Sequence, residues 1–183
     1  MEEKIYQLSC YNQVEGERIL LRPMTLKDAE DMYEYASDDE TVRFVFEKHT
    51  NLEETRKNIA NYFMKEPLGK YAIELKETGK MIGTIDLRLK SGANSAEIGY
   101  TLNKNYWKNG YITEAGKLII ALGFEKLELE RIYACYDIEN PASGKVMEHL
   151  GMTYEGTLRK NRIHKKRDVD DVYYSILKQD YFS

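Results

Sequence analysis

Residues 96–127 constrain the fold more than any other part of the sequence. Side chains over residues 96–102 alternate in character, which is typical of a strand. From Ala115 onward, apolar residues recur at i, i+3, i+4 and i+7, and a second apolar stripe passes through Phe124. This spacing indicates a helix that is buried on much of its surface. The sequence therefore predicts a strand, a tight turn around Gly110 and a buried helix, in that order.

The turn before this helix has the properties of an anion site. Gly110 removes the side chain where an anion would approach the backbone, and no acidic residue follows until Glu114. A helix start leaves several N–H groups unpaired and carries a partial positive charge, so it suits a phosphate. The alternative is a plain strand-to-helix turn with no ligand, because far more helix starts suit anions than bind them. On geometry alone the plain turn is the favoured interpretation.

The chain before residue 96 predicts strands and helices in a defined order. Residues 1–16 have weak periodicity and are expected to form an extended or loose lead-in. A first strand is expected within 17–24. Two capping boxes, Thr25 with Asp28 and Thr50 with Glu53, each predict the start of a helix. Alternating residues then predict two strands, 71–75 and 81–89, joined by a hairpin turn.

The chain after the central helix completes an α+β pattern. Residues 131–137 are expected to form an internal strand, and Pro141 opens a short helix that Gly151 closes. Two last strands, near 153–158 and 172–177, are expected to flank a basic loop. The order is β-αα-βββ-α-β-α-ββ, which predicts one domain over residues 1–183. Its central sheet is expected to be mixed, mostly antiparallel and flanked by helices.

Composition and spacing exclude several classes of function. The net charge of −4 gives no global basic footprint, so no nucleic-acid partner is expected. No apolar run is long enough for a membrane span, and the charged N-terminus does not open a signal peptide. Cys10 and Cys135 lack metal or redox spacing, and the three histidines are scattered, so no metal is expected. A cytoplasmic protein with reduced thiols is the expectation.

Three segments together carry a resemblance to a known family. They are Trp107-Lys108-Asn109-Gly110-Tyr111-Ile112-Thr113-Glu114-Ala115, Asn140-Pro141-Ala142-Ser143 and Glu148-His149-Leu150-Gly151-Met152. With the order of elements, they resemble the GNAT acetyltransferase superfamily and imply its three-layer fold. Residues 154–159 resemble the branch that acetylates the N-termini of ribosomal proteins. The resemblance covers about residues 17–178.

The resemblance implies acetyl-CoA as the cosubstrate. Its pyrophosphate is expected on the backbone amides of Lys108, Asn109, Gly110, Tyr111, Ile112 and Thr113. The pantetheine arm is expected to pair near Leu102, where the strand splays from its neighbour. Lys108 and Ile112 depart from the family pattern, since small residues are frequent at both positions. A backbone site tolerates side chains that point away, although Ile112 would narrow the site if it pointed inward.

The Asn140 helix start supplies further expected contacts. Asn and Ser are also good helix caps, so capping alone would account for both residues. The resemblance implies that Asn140 contacts the pantetheine or nucleotide portion and that Ser143 lies beside the sulfur and protonates the leaving thiolate. Many members use a tyrosine where this chain has Met147, which leaves Ser143 or water as the acid. Lys145 would reach a CoA phosphate, or would be a solvated helix lysine.

Amine acetylation also needs a proton acceptor, because an ammonium must lose its proton before it attacks the thioester. Strand alternation places Glu97 on one face, upstream of Leu102, where several family members keep their base. An exposed strand glutamate would have the same pattern. Glu155, in the segment that resembles the ribosomal-protein branch, is the alternative base, and Asp86 on the neighbouring strand is a third.

These features predict an acetyl-CoA-dependent N-acetyltransferase that transfers acetyl to a primary amine by direct attack on the thioester. The acceptor would be a protein N-terminus, such as that of a ribosomal protein, or a small amine. A catalytically weak CoA-binding sensor or interaction module is the alternative, which Ile112 and Met147 permit. The 15 tyrosines favour a homodimer, since tyrosine is enriched at interfaces.

Overall fold

The structure, a computed structural model, describes all 183 residues and contains eight strands and seven α-helices. The strands are β1 (Val14–Glu15), β2 (Ile19–Arg22), β3 (Lys70–Leu75), β4 (Met81–Leu89), β5 (Ser95–Leu102), β6 (Arg131–Asp137), β7 (Thr153–His164) and β8 (Arg167–Leu177). The helices are α1 (Glu2–Cys10), α2 (Ala29–Ala36), α3 (Asp39–Val42), α4 (Leu52–Asn58), α5 (Tyr111–Ala121), α6 (Pro141–His149) and α7 (Lys178–Tyr181). None of the helices combines the length and apolarity that a bilayer span requires.

All eight strands join one sheet in the order β1-β2-β3-β4-β5-β6-β8-β7. Every neighbouring pair is antiparallel except β5 and β6, which run parallel. The pair is parallel because the chain leaves β5, crosses back through α5 and enters β6 in the same direction as β5. The prediction of an α+β fold with a mixed, mostly antiparallel sheet is confirmed.

Alternating residues of the strands supply two hydrophobic cores, one on each face of the sheet. In β3, Tyr71 and Ile73 belong to the larger core, which contains the buried side of α5, whereas Ala72 belongs to the smaller core beside α2. The period-two pattern of the sequence is therefore used on both faces. Helices cover both faces, which gives the three layers that the resemblance implied.

The N-terminal segment differs from the expectation of a loose lead-in. Residues 2–10 form helix α1, and residues 14–15 pair with β2 as the edge strand. Leu8 is the only buried residue of α1, so the segment lacks the repeated apolar face from which a helix is recognised in sequence. The Tyr71 hydroxyl also donates to the carbonyl of Tyr11 at 3.0 Å. The expectation for residues 1–16 is wrong because tertiary contacts fix the segment.

Two other local predictions need correction. Asn51, not Thr50, is the N-cap of α4, and its side chain accepts from the Glu54 amide at 2.9 Å. Residues 159–167 are not a loop, because β7 continues to His164 and β8 begins at Arg167. Acidic residues of β8 neutralise the basic ones across the hairpin, as in the pairs Lys160–Asp168 and Arg162–Asp171. These cross-strand pairs depend on the hairpin register, which charge composition alone does not reveal.

Candidate functional site

The strands β5 and β6 separate part-way along their length. They pair only from Ser95–Arg131 to Glu97–Tyr133. The Asn103 amide donates to the Ile82 carbonyl, and Leu102 lies opposite Gly83. In an antiparallel pair only every second residue bonds to the partner strand, so this bond shows which backbone groups of β5 face β4. The backbone groups of Tyr100 and Leu102 therefore point away from β4 and into the β5–β6 gap. A chain-like ligand entering this gap would find unpaired backbone groups.

The Leu102 carbonyl is already occupied. The indole Nε1 of Trp107 donates to it at 2.8 Å. The Leu102 amide and both backbone groups of Tyr100 stay free at the β5–β6 gap. Trp107 thus ties the end of β5 to the start of the turn that leads into α5.

The turn at residues 108–113, here the amide turn, presents six consecutive backbone N–H groups that donate to no backbone carbonyl. Lys108 and Gly110 both have left-handed backbone, with φ of 62° and 79°. The first helical bond runs from the Glu114 amide to the Gly110 carbonyl, so the earlier amides of the turn have no helical partner. The Ile112 side chain is buried in the larger core, and the Lys108 side chain is exposed to solvent. Neither of these two departures from the family pattern therefore fills the turn with a side chain. The turn has the geometry of an anion site.

Side chains hold the amide turn from two sides. The Asn109 amide group donates to the carbonyls of Tyr106 and Trp107, at 3.2 Å and 3.0 Å. Arg18 donates to the Asn109 carbonyl at 2.9 Å, and its guanidinium carbon lies 4.5 Å from the centre of the Tyr111 ring. The turn is thus fixed before any ligand binds.

The first turn of α6 faces the β5–β6 gap. Asn140 Nδ2 donates to Ser143 Oγ at 3.1 Å, which leaves the Ser143 hydroxyl proton free to be donated elsewhere. The Tyr100 hydroxyl donates to the Ser143 carbonyl at 3.1 Å, and burial raises the pKa of Tyr100 above its ordinary value. Tyr100 therefore joins β5 to α6 across the gap as a neutral group.

A cavity of about 430 Å³ lies against the sheet face opposite α5 and reaches the start of α6. Its floor is made by side chains that share one face of β4 and β5: Thr84, Asp86, Arg88, Glu97, Gly99 and Thr101. Asn140, Ser143 and Met147 of α6 border it at the gap. The outer side is formed by residues 44–46. The tip of the last hairpin contacts the chain just before this segment, since Lys165 Nζ donates to the carbonyl of Val42, the last residue of α3, at 3.0 Å.

Two carboxylates on the cavity floor differ in their surroundings. Asp86 is 5% exposed, and it accepts from the Tyr62 hydroxyl at 2.6 Å and from Arg88 Nη1 at 3.2 Å. Burial raises the pKa of Asp86 above its ordinary value, although the Tyr62 hydrogen bond and the Arg88 charge oppose this shift. Burial also raises the pKa of Tyr62, to about 12.

The pKa of Glu97 is shifted in the opposite direction from that of Asp86. It accepts from Lys90 Nζ at 2.6 Å and from Arg88 Nη2 at 3.0 Å. Burial raises its pKa, but the Lys90 hydrogen bond and the Arg88 charge outweigh burial, so the pKa of Glu97 lies below its ordinary value. Gly99 makes room for this arrangement, because a Cβ there would lie 2.6 Å from Arg88 Nη1.

Comparison with known proteins agrees with this geometry. Residues 18–153 match the Acetyltransferase (GNAT) domain family. The chain belongs to the GNAT acetyltransferase family. It is 34% identical over 170 residues to the uncharacterized N-acetyltransferase p20 of Bacillus licheniformis, covering 90% of this chain and 96% of the relative. A solved GNAT-family acetyltransferase from Bacillus anthracis superposes with a TM-score of 0.83 at 30% identity, covering 91% of this chain and 99% of the other.

A further relative of this GNAT chain carries a ribosomal N-acetyltransferase name. It is YdaF of Bacillus subtilis strain 168, whose name proposes ribosomal N-acetyltransferase activity. YdaF is 31% identical to this chain over 173 residues, and the alignment covers 91% of this chain and 94% of YdaF. The resemblance to this branch is thereby confirmed. The protein is an acyltransferase of the N-acetyltransferase class.

Several of the predicted site residues of this GNAT acetyltransferase lie around the β5–β6 gap. Glu97, Asn140 and Ser143 line the cavity, and the amide turn begins a few residues beyond Leu102. Glu155 lies elsewhere, where it accepts two bonds from Arg131 at 2.5 Å and one from Ser175 at 2.7 Å. Lys145 is exposed on α6 and does not line the cavity.

Three cavity residues of this GNAT acetyltransferase had no role in the sequence prediction. Arg88 shares a face with Asp86 and lies opposite Glu97, so the strand register would have revealed it. Tyr100 alternates onto the apolar side of β5, and only the splay brings its hydroxyl to α6. Arg162 falls in the segment expected to be a basic loop, which gave no signal for a position facing the cavity.

Proposed function

We propose that this protein transfers the acetyl group of acetyl-CoA to a primary amine by direct attack on the thioester. One observation carries the proposal: six free backbone amides follow the splayed strand β5, and the same strand lines a cavity that contains a buried carboxylate. The amides suit the pyrophosphate, the gap suits the pantetheine arm and the cavity suits the amine. The two substrates would meet at the gap.

The residues around the gap fit acetyl-CoA. The amides of residues 108–113 would hold the pyrophosphate, and Lys145, exposed on α6, would contact a CoA phosphate. Backbone groups of Tyr100 would pair with the pantetheine arm, with Asn140 beside it. The free Leu102 amide would donate to the thioester carbonyl, where the bound cosubstrate supplies an activated acetyl group. One such donor is worth about 3 kcal/mol to the transition state.

We assign the proton acceptor to Asp86 in preference to Glu97. A base must accept a proton from the ammonium, directly or through one water, and a carboxylate with a raised pKa does so more readily. Two cations stabilise the ionised form of Glu97, so it is the weaker base. Glu97 instead fixes Arg88, which borders Asp86. The Ser143 hydroxyl, oriented by Asn140, would return a proton to the leaving thiolate.

The acceptor would be a protein N-terminus or a small amine. The name of YdaF supports a ribosomal protein N-terminus as one candidate. The free cysteines Cys10 and Cys135 suit the reducing cytoplasm as the location. Exposed aromatic residues such as Trp107 and Tyr154 leave surface on which a second copy could pack.

The test measures thiol release from acetyl-CoA with a panel of amines and peptides, and mass spectrometry identifies each acetylated product. Calorimetry measures acetyl-CoA binding in parallel. We expect binding and amine-dependent thiol release. Binding with no turnover across the panel would favour a CoA-binding sensor or interaction module instead. Absence of binding would overturn the assignment of the amide turn.

A further inference from the structure

We propose that the acceptor amine carries a carboxylate and that Arg162 binds this carboxylate in the cavity. The inference rests on the proposed function, since it names the class of amine that the same site takes. Arg162 is the one cavity-lining cation whose terminal donors have no partner in the chain.

The backbone directs Arg162 toward the cavity. Leu158 pairs with Asp171 and Arg162 pairs with Val169. Between these two pairs β7 advances by four residues and β8 by only two, so β7 contains a bulge. Lys160, within this interval, has left-handed backbone with φ of 49°. Such a bulge bends a strand and changes the direction of its side chains. Arg162 thereby shares the sheet face of Asp171 and lines the same cavity as Asp86 and Ser143.

A buried carboxylate orients the Arg162 guanidinium without using its ends. Nε donates to both oxygens of Asp171, at 3.0 Å and 3.1 Å, and Asp171 is 1% exposed. Asn161 Nδ2 donates to the same carboxylate at 3.0 Å. Both Nη atoms of Arg162 donate to no group of the chain, and the side chain is 37% exposed. The terminal fork of Arg162 is therefore held in place and available.

The other arginine on the cavity floor differs in this respect. Arg88 directs Nη1 to Asp86 and Nη2 to Glu97, so both of its ends are engaged. A ligand carboxylate would have to displace an ion pair to bind Arg88, whereas Arg162 offers its fork without any loss. Two parallel N–H donors match the two oxygens of a carboxylate.

Charge around the cavity favours a carboxylate over a phosphate. Three buried or half-buried acids also line it: Asp86, Glu97 and Asp137. A dianion would be repelled by these acids, while a single negative charge at Arg162 leaves the acids free to attract the ammonium end. The strand order separates the two ends, with Asp86 on one side of the β5–β6 gap and Arg162 on the other. An amine with a carboxylate several bonds away suits this separation.

The test compares matched acceptors on the unmodified enzyme. One arm uses linear amino acids of two to five carbons and their amides, and the other uses Ala-Glu-Ala amide and Ala-Gln-Ala amide. The two arms distinguish a free amino acid from an acidic side chain of a peptide. We expect kcat/KM for the acid to exceed that for its amide by about tenfold or more in one arm. Equal use of acid and amide in both arms would overturn the inference.

Variants then assign the preference to Arg162. Arg162→Gln should raise KM for the acid about tenfold and leave the amide unchanged, and Arg162→Lys, which keeps the charge beside Asp171, should lose part of the preference. Arg159→Gln is the matched control, because Arg159 is exposed on the same strand and does not line the cavity. A variant that lowers acid and amide equally would refute the role of Arg162. Failure of every acceptor despite acetyl-CoA binding would refute the proposed function itself.

Discussion

Arg18 and Glu114 join the segment before β2 to the first turn of α5, across 96 residues of sequence. Arg18 Nε donates to Glu114 Oε2 at 2.8 Å, and the Arg18 amide donates to Oε1 at 2.9 Å. Burial raises the pKa of Glu114, but these hydrogen bonds outweigh it, so the pKa lies below its ordinary value. The same guanidinium also bonds to the Asn109 carbonyl of the amide turn. One ion pair therefore fixes the turn that the cosubstrate would use.

We expect Arg18→Met to weaken acetyl-CoA binding by about tenfold, equivalent to about 1.4 kcal/mol, because the amide turn would no longer be ordered before binding. Calorimetry measures the change in Kd. Lys117→Met is the matched control, since Lys117 is exposed on α5 and its side chain makes no hydrogen bond or ion pair with the turn. Equal Kd values for both variants would show that the ion pair does not order the turn.

Gly110→Asp should abolish the rise in Tm that acetyl-CoA produces, because its carboxylate would repel the pyrophosphate. Position 110 has φ of 79°, which Asp and Asn tolerate better than other side chains. Arg18 Nη2 lies 3.5 Å from the Cβ position and would neutralise part of the new charge. Gly110→Asn is the neutral control and should keep part of the shift. A full shift in folded Gly110→Asp would remove the pyrophosphate from this turn.

Asp86→Asn should lower kcat by about 10²- to 10⁴-fold, with recovery as pH rises and the amine loses its proton unaided. The raised pKa of Asp86 means that its basic form is present above that pKa. Activity should therefore fall as pH drops through a value above the ordinary aspartate pKa of about 3.9. Pre-steady-state rates against pH measure this limb.

Glu97→Gln and Glu155→Gln are the controls for that experiment. Glu97→Gln should have a smaller effect, through Arg88, and Glu155→Gln should have little effect on kcat because Glu155 is paired with Arg131 outside the cavity. If Glu97→Gln carries the large, pH-rescued loss instead, the base lies on β5. If no variant matters, water accepts the proton.

Ser143→Ala should lower kcat while the Kd of acetyl-CoA changes little, because the hydroxyl would act on the leaving thiolate. Steady-state kinetics and calorimetry separate the two quantities. Lys145→Met, on the same helix, should instead weaken acetyl-CoA binding and leave kcat unchanged. Full kcat in Ser143→Ala would reduce Ser143 to a hydrogen-bond partner of Asn140.

Asp28→Asn should destabilise the fold by about 3 kcal/mol, since it removes one partner of a buried ion pair with Arg22. Burial raises the pKa of Asp28, but the hydrogen bonds from Arg22 and Thr25 outweigh it and lower the net value. This contribution is present above the unfolded pKa of about 3.9 and is lost as pH falls toward the folded pKa. Urea unfolding at pH 7 and pH 3 measures it. An equal deficit in the variant at both pH values would contradict the expectation.

Much of the fold could be predicted because its signals are local. The bounds of β6, Arg131–Asp137, and the start of α6 at Pro141 agree with the predicted ones. The Thr25–Asp28 contact forms as expected, with the Thr25 amide donating to the Asp28 carboxylate at 2.8 Å. The prediction for residues 1–16 was wrong because a helix with one buried side chain has almost no hydrophobic periodicity. The prediction for residues 159–167 was wrong because the acids that pair with these basic residues come from another strand.

The sequence by itself determined the strand, turn and helix around Gly110 and the placement of Asn140 and Ser143 at a helix start, because periodicity, glycine and capping act over a few residues. Only the tertiary structure distinguished Asp86 from Glu97 and turned Arg162 toward the cavity. Burial raises the pKa of Asp86 although Tyr62 donates a hydrogen bond to it, whereas Lys90 and Arg88, at the end of the neighbouring strand, lower the pKa of Glu97. A pKa depends on charges and solvent within several ångströms, and those neighbours are set by strand register and bulges rather than by spacing along the chain.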